Sequence, residues 1–425
     1  MCIEGRNMIT ANEFAERRNK VLDAMENNSL AILFSGVGKK RSNDENYPFE
    51  VNRNFYYLTG INRENAVLLL VKSQDEANEY LFIEEKKEAV EKWTGIRMSE
   101  DEARKISGIV NVLYKSAFEG KMMAAFDKNI SHFGEINSVY LDLEKELKID
   151  DCKSTIQYQQ EIEGKGISVK DIHDIVMKLR MVKSEAEIEL IRDAINTTDL
   201  GIRNVLNHLA AGRFEYNLRN IFEYTIKEDL NSGIAFDTIV AGGKNAVILH
   251  YPEAKDVLQH DELVLLDLGA SKSYYAADIS RTFPISGKFN DLQRKIYQIV
   301  LECNKVTSKF VRPGITLKEM NEFAKNFLAE ECFVNGLIKS KEDIGQVYYH
   351  SVSHHLGLDT HDGSDRESML VEGNVITCEP GLYFKEFGIG VRIEDDLLVT
   401  KDGCEVLSQS IIKEVDEIEK MLISK

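Results

Sequence analysis

Apolar positions recur along this chain at both helical and strand spacings, and the two alternate. Over residues 11–27, Phe14, Val21, Leu22 and Met25 fall at roughly helical spacing and predict a first helix. Ser29 to Ser35, Asn65 to Lys72 and Glu79 to Ile83 are short apolar runs that predict strands, with charged helical stretches such as Asp101 to Ile106 between them. Strands alternating with helices predict an α/β N-terminal domain, a mixed or mostly parallel sheet covered by helices. A long polar, charged passage from 150 to 170 is where a domain boundary is expected. Beyond it, Asp171 to Arg180 and Glu185 to Asn207 read as helices. The second has Ile188, Ile191, Ala194 and Ile195 on one face, Ser184 as N-cap and Glu187 completing a capping box. From Ala235 onward strands dominate: Phe236 to Ala241, Leu263 to Ala270, Tyr274 to Phe283, Val375 to Cys378 and Gly388 to Thr400. Two helices, near 289–311 and 317–331, interrupt them.

Length agrees with two domains, since 425 residues exceed the roughly 250–300 at which a single core stops growing. The longest apolar stretches, such as Ala66 to Val71 and Leu263 to Leu266, fall far short of the roughly 20 residues that span a bilayer, so no membrane partner is expected. The start of the chain lacks a basic segment followed by an apolar one, which predicts no signal peptide and a cytoplasmic protein. A net charge of −18 leaves no basic face for nucleic acid. Six cysteines, with no CxxC pair, predict free thiols in a reducing compartment. Ile3-Glu4-Gly5-Arg6 spells a sequence often engineered for tag removal, with Met8 as a natural start, and reads equally well as a natural disordered tail, so residues 1–7 are left out of the fold reasoning.

The chemistry begins at Asp267, in the strand ELVLLDLGA. An acid after four aliphatic residues is costly to bury unless it is paired or binds a cation. Asp278 sits in a similar context in SYYAADISRTF. Asp267 is five residues before Lys272 and Asp278 five after Ser273, so a tight hairpin centred there would set the two aspartates directly opposite each other. The pattern recurs near the C-terminus, where Glu379 and Glu394 each lie seven residues outside the midpoint between Glu386 and Phe387. A bulge at Pro380-Gly381 would shift that second register. Arg392 falls on the same strand face as Glu394. Between the hairpins, HSVSHHLGLDTHD carries His350, His354, His355 and His361, and His250 in AVILHYPEA is a fifth candidate. Taken singly, each has an ordinary reading: Asp267 paired with Arg281 or Arg392, a histidine satisfied in the core, or Glu394-Asp395-Asp396 as a solvated edge. Together, carboxylates with one histidine suit Mn²⁺, Fe²⁺, Co²⁺ or Zn²⁺, and facing pairs of acids favour two ions.

The order Asp267, Asp278, His354, Glu379, Glu394 resembles the five metal ligands of the pita-bread metallopeptidases, which include methionine aminopeptidase, prolidase and aminopeptidase P. The strings LLDLGA, ADISRTFP, SHHLGLDTHD, EPGLY and RIEDD carry the resemblance over roughly residues 185–410. RSNDENYPFEVNRNFYYLTGIN, at 41–62, and KWTGIRMSEDEA are similar to the aminopeptidase P N-terminal domain. Ser351 and Thr360 depart from the family pattern at positions away from the ligands. The resemblance implies an aminopeptidase P-type domain at 8–172 and an α+β pita-bread catalytic domain at 173–425. It implies two divalent ions, Mn²⁺ first, and cleavage between an N-terminal residue and a following proline. Glu379 is the implied general base, and His250 and His361 donors to the substrate carbonyl or intermediate. His350 and Arg392 are implied support or proline-pocket residues, while His355 packs or faces solvent. The lone Trp93 reads first as a packing residue; in relatives an aromatic of a neighbouring subunit lines the site, which here implies a homo-oligomer, dimer or tetramer. A dipeptidase of prolidase type shares every ligand. A non-catalytic peptide-binding relative or a creatinase-like enzyme fits less well, because all five ligand positions are filled.

Overall fold

The computed structural model describes residues 9–126, 135–143, 153–229, 231–363 and 367–424. The Ile3–Arg6 segment, Cys2 and Cys152 lie outside them. The chain divides into two compact units, one ending at Leu179 and the other starting at Arg180.

The N-terminal unit is built on six strands: β1 Ser29–Phe34, β2 Val67–Lys72, β3 Ala77–Ile83, β4 Asn111–Tyr114, β5 Ser138–Leu141 and β6 Ser168–Asp171. Their order is β4-β3-β2-β1-β5-β6. The β1–β2 and β2–β3 pairs are antiparallel, and the β3–β4, β1–β5 and β5–β6 pairs are parallel, the mixed sheet that the alternating pattern predicts. Helices α1 Ala11–Ala24, α2 Arg53–Thr59, α3 Glu88–Thr94, α4 Glu100–Ser107, α5 Phe118–Phe126 and α6 Lys153–Gly164 belong to this unit. The central strands read as unbroken apolar runs because both faces are covered. On one face Leu30, Ile32, Val67, Leu69, Val71 and Phe82 pack with Phe118 and Met122 of α5. The polar passage where a domain boundary is expected supplies α6 and the edge strand β6, and the divide between units falls later, after Leu179. Helix α3 buries no residue, and Trp93 on it is 89% exposed, so it is not the packing residue its lone occurrence suggested.

The C-terminal unit follows from α7 His173–Met181, within which the divide falls. Its helices are α8 Glu185–His208, α9 Glu215–Lys227, α10 Asp291–Phe310, α11 Leu317–Val334 and α12 Val415–Ile423. The capping box of α8 forms as the sequence implies, with Ser184 accepting from the Glu187 amide and Glu187 accepting from the Ser184 amide. Its strands are β7 Ser232–Ile234, β8 Ile239–Gly242, β9 Leu263–Leu268, β10 Ala270–Lys272, β11 Tyr275–Ala276, β12 Ile279–Pro284, β13 Val375–Cys378, β14 Gly381–Phe384, β15 Ile389–Arg392, β16 Asp395–Val399 and β17 Cys404–Val406. They form small sheets, β12-β9-β8, β11-β10-β7, β13-β16-β17 and the pair β14-β15. This is the α+β architecture implied for the second domain.

Two antiparallel ribbons carry the four acidic candidates. The first runs through β9–β10 and β11–β12, and its turn holds Ser273 (φ 48°) and Tyr274 (φ 72°). That turn lies one residue later than symmetric counting suggests, so the pairing shifts by two: Asp267 faces Ser280, and Asp278 lies diagonally from Asp267 on the same face rather than opposite it. The second ribbon runs through β13–β14 and β15–β16. Here the expected register holds on both sides of Pro380, with Cys378 opposite Asp395 and Gly381 opposite Arg392, which leaves Glu379 across from Glu394. No bulge shifts it. The Ile393 amide donates to the Pro380 carbonyl, while the Glu379 and Glu394 amides donate outward, to Val352 and Ser280. Glu379 and Glu394 are therefore a non-hydrogen-bonded pair, the kind whose side chains approach most closely.

Candidate metal centre

Alternation along the two ribbons decides what meets. Asp267, Ser280 and Asp278 share one face of the first, and Glu379, Tyr383, Arg392 and Glu394 share one face of the second. The ribbons are tied together where the Glu394 amide donates to the Ser280 carbonyl at 3.0 Å, and Thr282 Oγ1 bonds both the amide and the carbonyl of Arg392 at 3.2 Å.

Carboxylate and imidazole atoms of Asp278, His354 and Glu394 lie within 4.8 Å of one another. His354 Nε2 stands 3.4 Å from Asp278 Oδ2 and 3.6 Å from Glu379 Oε1. Its other ring nitrogen, Nδ1, lies 3.0 Å from the His355 carbonyl and donates its N–H to it, which fixes the ring's orientation. Nε2 therefore points at the Asp278 and Glu379 carboxyl groups, and a proton or a cation must lie among the three. Burial, followed by mutual repulsion with Asp267 and its neighbours, pushes the carboxyl groups of Asp278 and Glu394 well above the ordinary range, and burial pushes Glu379 up as well. A divalent cation resolves both features, so this donor set fits the implied metals.

Asp267 joins the group from the side. Its Oδ1 lies 3.1 Å from Ser280 Oγ, which is 2.7 Å from Glu394 Oε2, and its Oδ2 accepts from Arg392 Nη2 at 2.7 Å. Of the two arginines offered for Asp267, Arg392 is the partner. Arg281 goes to Asp395 on the other side of the strand. Arg392 Nη1 also donates to the Tyr383 hydroxyl at 2.9 Å. That hydroxyl is 2.8 Å from His350 Nε2, and His350 Nδ1 is 2.8 Å from the Ser351 carbonyl. The chain of donors runs from Arg392 to Tyr383 to His350 to Ser351, which requires a neutral His350. Burial, with Arg392 nearby, lowers the His350 pKa to about 4.

His361 is exposed, with its ring centroid 4.2 Å from that of His354. His250 is also exposed, and its charge helps to depress His350. His355 is 1% exposed, so it packs rather than facing solvent. Glu394, Asp395 and Asp396 are all buried, which removes the solvated-edge reading.

Three residues outside the sequence-derived set organise the site. Ser280 links Asp267 to Glu394, and Tyr383 links Arg392 to His350. Both sit at strand positions two or four residues from a candidate ligand, so alternation alone could have found them. Glu215, fully buried at the start of α9, accepts from the Gly242 and Asp256 amides, Asn245 Nδ2 and the Tyr251 hydroxyl at 2.7–3.0 Å. It fastens the segment that carries His250. An acid in a first helical turn reads as an ordinary helix-dipole residue, so no local pattern singles Glu215 out.

Known proteins resemble this chain in sequence and fold. The sequence matches the profile of Metallopeptidase family M24 over residues 189–401 and that of Aminopeptidase P, N-terminal domain, over residues 14–131. It is 34% identical to a Xaa-Pro aminopeptidase of Haemophilus influenzae, covering 96% of this chain and 97% of that protein. Among solved structures, a Bacillus anthracis chain assigned as an aminopeptidase P is 43% identical with a TM-score of 0.94, covering 98% of this chain and 99% of that one. Escherichia coli aminopeptidase P with the inhibitor Pro-Leu is 31% identical with a TM-score of 0.87, again over 98% and 99% of the two chains.

Proposed function

This chain belongs to metallopeptidase family M24, in its aminopeptidase P branch, and is a metal-dependent aminopeptidase; on that premise we propose that it removes the first residue from peptides whose second residue is proline. The observation that carries the reading is His354 Nε2 standing 3.4 Å from Asp278 Oδ2 and 3.6 Å from Glu379 Oε1. Asp267 would hold one divalent ion, His354 and Glu379 the other, and Asp278 and Glu394 both. When bound, the ions supply Lewis acidity and lower the pKa of water. Glu379, placed beside the ions, would be the general base that takes a proton from the attacking water. It would then return that proton to the proline nitrogen, a poor leaving group until protonated. His250 and His361 would donate to the carbonyl oxygen as negative charge develops there. Neutral His350 and cationic Arg392 would shape the pocket floor through Tyr383. Residues 8–172 would form the aminopeptidase P-type domain and 173–425 the catalytic one.

Mn²⁺ is the proposed native metal, because the ligands are oxygen-rich with one imidazole and no thiolate. A reducing, cytoplasmic setting suits the free thiols of Cys303, Cys332, Cys378 and Cys404, and among the described residues no helix is long and apolar enough to cross a membrane. The exposure of Trp93 supports a homo-oligomer, dimer or tetramer, in which that side chain meets a second copy. The deciding experiment compares kcat/KM for Xaa-Pro and Xaa-Pro-Yaa peptides sharing their first two residues, with Mn²⁺ present. The tripeptide should be cut far faster, releasing only its first residue. A clear preference for the dipeptide would make the enzyme a dipeptidase of prolidase type.

A further inference from the structure

The second ribbon has a defect at the point where its two glutamates leave it. Positions 380 and 393 face each other as a hydrogen-bonded pair, since the Ile393 amide donates to the Pro380 carbonyl at 3.3 Å. The return bond, from residue 380 to the Ile393 carbonyl, cannot form because proline has no amide hydrogen. A buried carbonyl left without a donor is costly, and a strand pair missing a rung is free to splay. The missing donor comes from outside the sheet. Asn304, on α10 and fully buried, directs Nδ2 to the Ile393 carbonyl at 3.3 Å and to the Cys378 carbonyl at 3.1 Å. Those carbonyls belong to the residues immediately before Glu394 and Glu379. The amide is itself oriented, because Lys413 Nζ donates to Asn304 Oδ1 at 3.0 Å. One side chain therefore spans both strands at the rung that proline removes.

We propose that Asn304 is a positioning residue that replaces the absent Pro380 amide and holds the backbones of Glu379 and Glu394 at the separation metal binding requires. The inference rests on the reading of these two glutamates as metal ligands. A carboxylate that must share an ion with others tolerates little drift, and outer residues of this kind are worth about 10–100-fold in metal affinity.

The test measures Mn²⁺ affinity by calorimetry on chelator-stripped full-length protein, for the parent, Asn304→Leu, Pro380→Ala and the double variant. Asn304→Leu keeps the volume and removes both donors, and it should weaken Mn²⁺ by about 10–100-fold. Pro380→Ala returns a backbone amide to the rung. In that background the loss caused by Asn304→Leu should shrink about fivefold, the worth of one hydrogen bond. A general packing defect would give the same loss in both backgrounds, and that result, or parent-like affinity in Asn304→Leu, overturns the proposal. Should Asn304→Leu not fold, Asn304→Ala is put through the same cycle. A parent that binds no Mn²⁺ would instead overturn the metal-site reading itself.

Discussion

Glu394 and Asp395 are neighbours on one strand, both buried, and they face opposite chemical worlds. On Asp395's side the protein supplies the counter-charge: Arg281 Nη2 at 2.8 Å, the Lys413 ammonium, and Ser408 Oγ at 2.7 Å. Arg281 and Lys413 overcome the penalty of burial and hold the Asp395 carboxyl below its ordinary range. On Glu394's side four acids converge with Arg392, paired to Asp267, as the nearby protein cation, and the carboxyls of Asp278, Glu379 and Glu394 are held above the ordinary range. The lesson is that burial of an acid does not mark a site. What marks it is burial without enough protein charge to balance it, because the balance must then come from a ligand.

That contrast can be broken or sharpened by experiment. Dialysis against a chelator should abolish peptidase activity, and Mn²⁺ or Co²⁺ should restore it; full activity in metal-free protein would sink the idea that the Glu394 side awaits cations. Glu379→Gln should lower kcat by about 10²–10⁴-fold with the fold intact by circular dichroism. His361→Ala, which removes only a donor, should lose about 10²–10³-fold. Near-normal turnover in Glu379→Gln would show that the base lies elsewhere. On the opposite side, Asp395→Ala strands Arg281 and Lys413, and should destabilise the protein by about 3–5 kcal/mol in denaturant melts. Because the folded pKa of Asp395 is depressed, its contribution is present above the ordinary value of 3.8 and is lost as pH falls below it. The Asp395→Ala loss should therefore be flat from neutral pH down to about pH 5.

The smallest effect is the most diagnostic. Asp278, Glu379 and Glu394 have raised folded values, so their ionisation, which cation binding requires, is resisted in metal-free protein. Repulsion among them destabilises the stripped fold as pH rises from their ordinary values through the raised ones. At one fixed Mn²⁺ concentration, set at about 100 times the Kd measured at pH 7–8, the increase in Tm should be several degrees there and should shrink as pH approaches 5. A metal-induced shift independent of pH would place the bound ion away from these acids.

Much of the site is legible in the sequence because it lies on strands, where a two-residue period carries each side chain's direction. Counting inward from Glu379 and Glu394 gives the right register, since the turn at 385–388 is symmetric about the midpoint and Pro380 adds no bulge. The same counting fails by two residues at Asp267 and Asp278. The turn there is made by Ser273 and Tyr274 in left-handed conformations, without the Asn-Gly or Asp-Gly signal that would have located it. A shift of two preserves the face, so the aspartates still converge although they are not opposite. Asn304 and Glu215 cannot be read in advance, because each acts on backbone groups far away in sequence. The polar stretch reads as a domain boundary because a half-exposed helix and an edge strand are as polar as the segments that join domains.

The unbroken register of the second ribbon also limits how this chain can change length. Residues added at the tip, 385–388, only extend a loop and leave both glutamates where they are. A single residue inserted between Glu379 and Phe384 would turn Glu379 to the face where Asp395 sits, and a second would turn it back. Two inserted residues restore the face but carry Glu379 about 7 Å along the strand, away from Glu394, so inherited insertions should be confined to the hairpin tip.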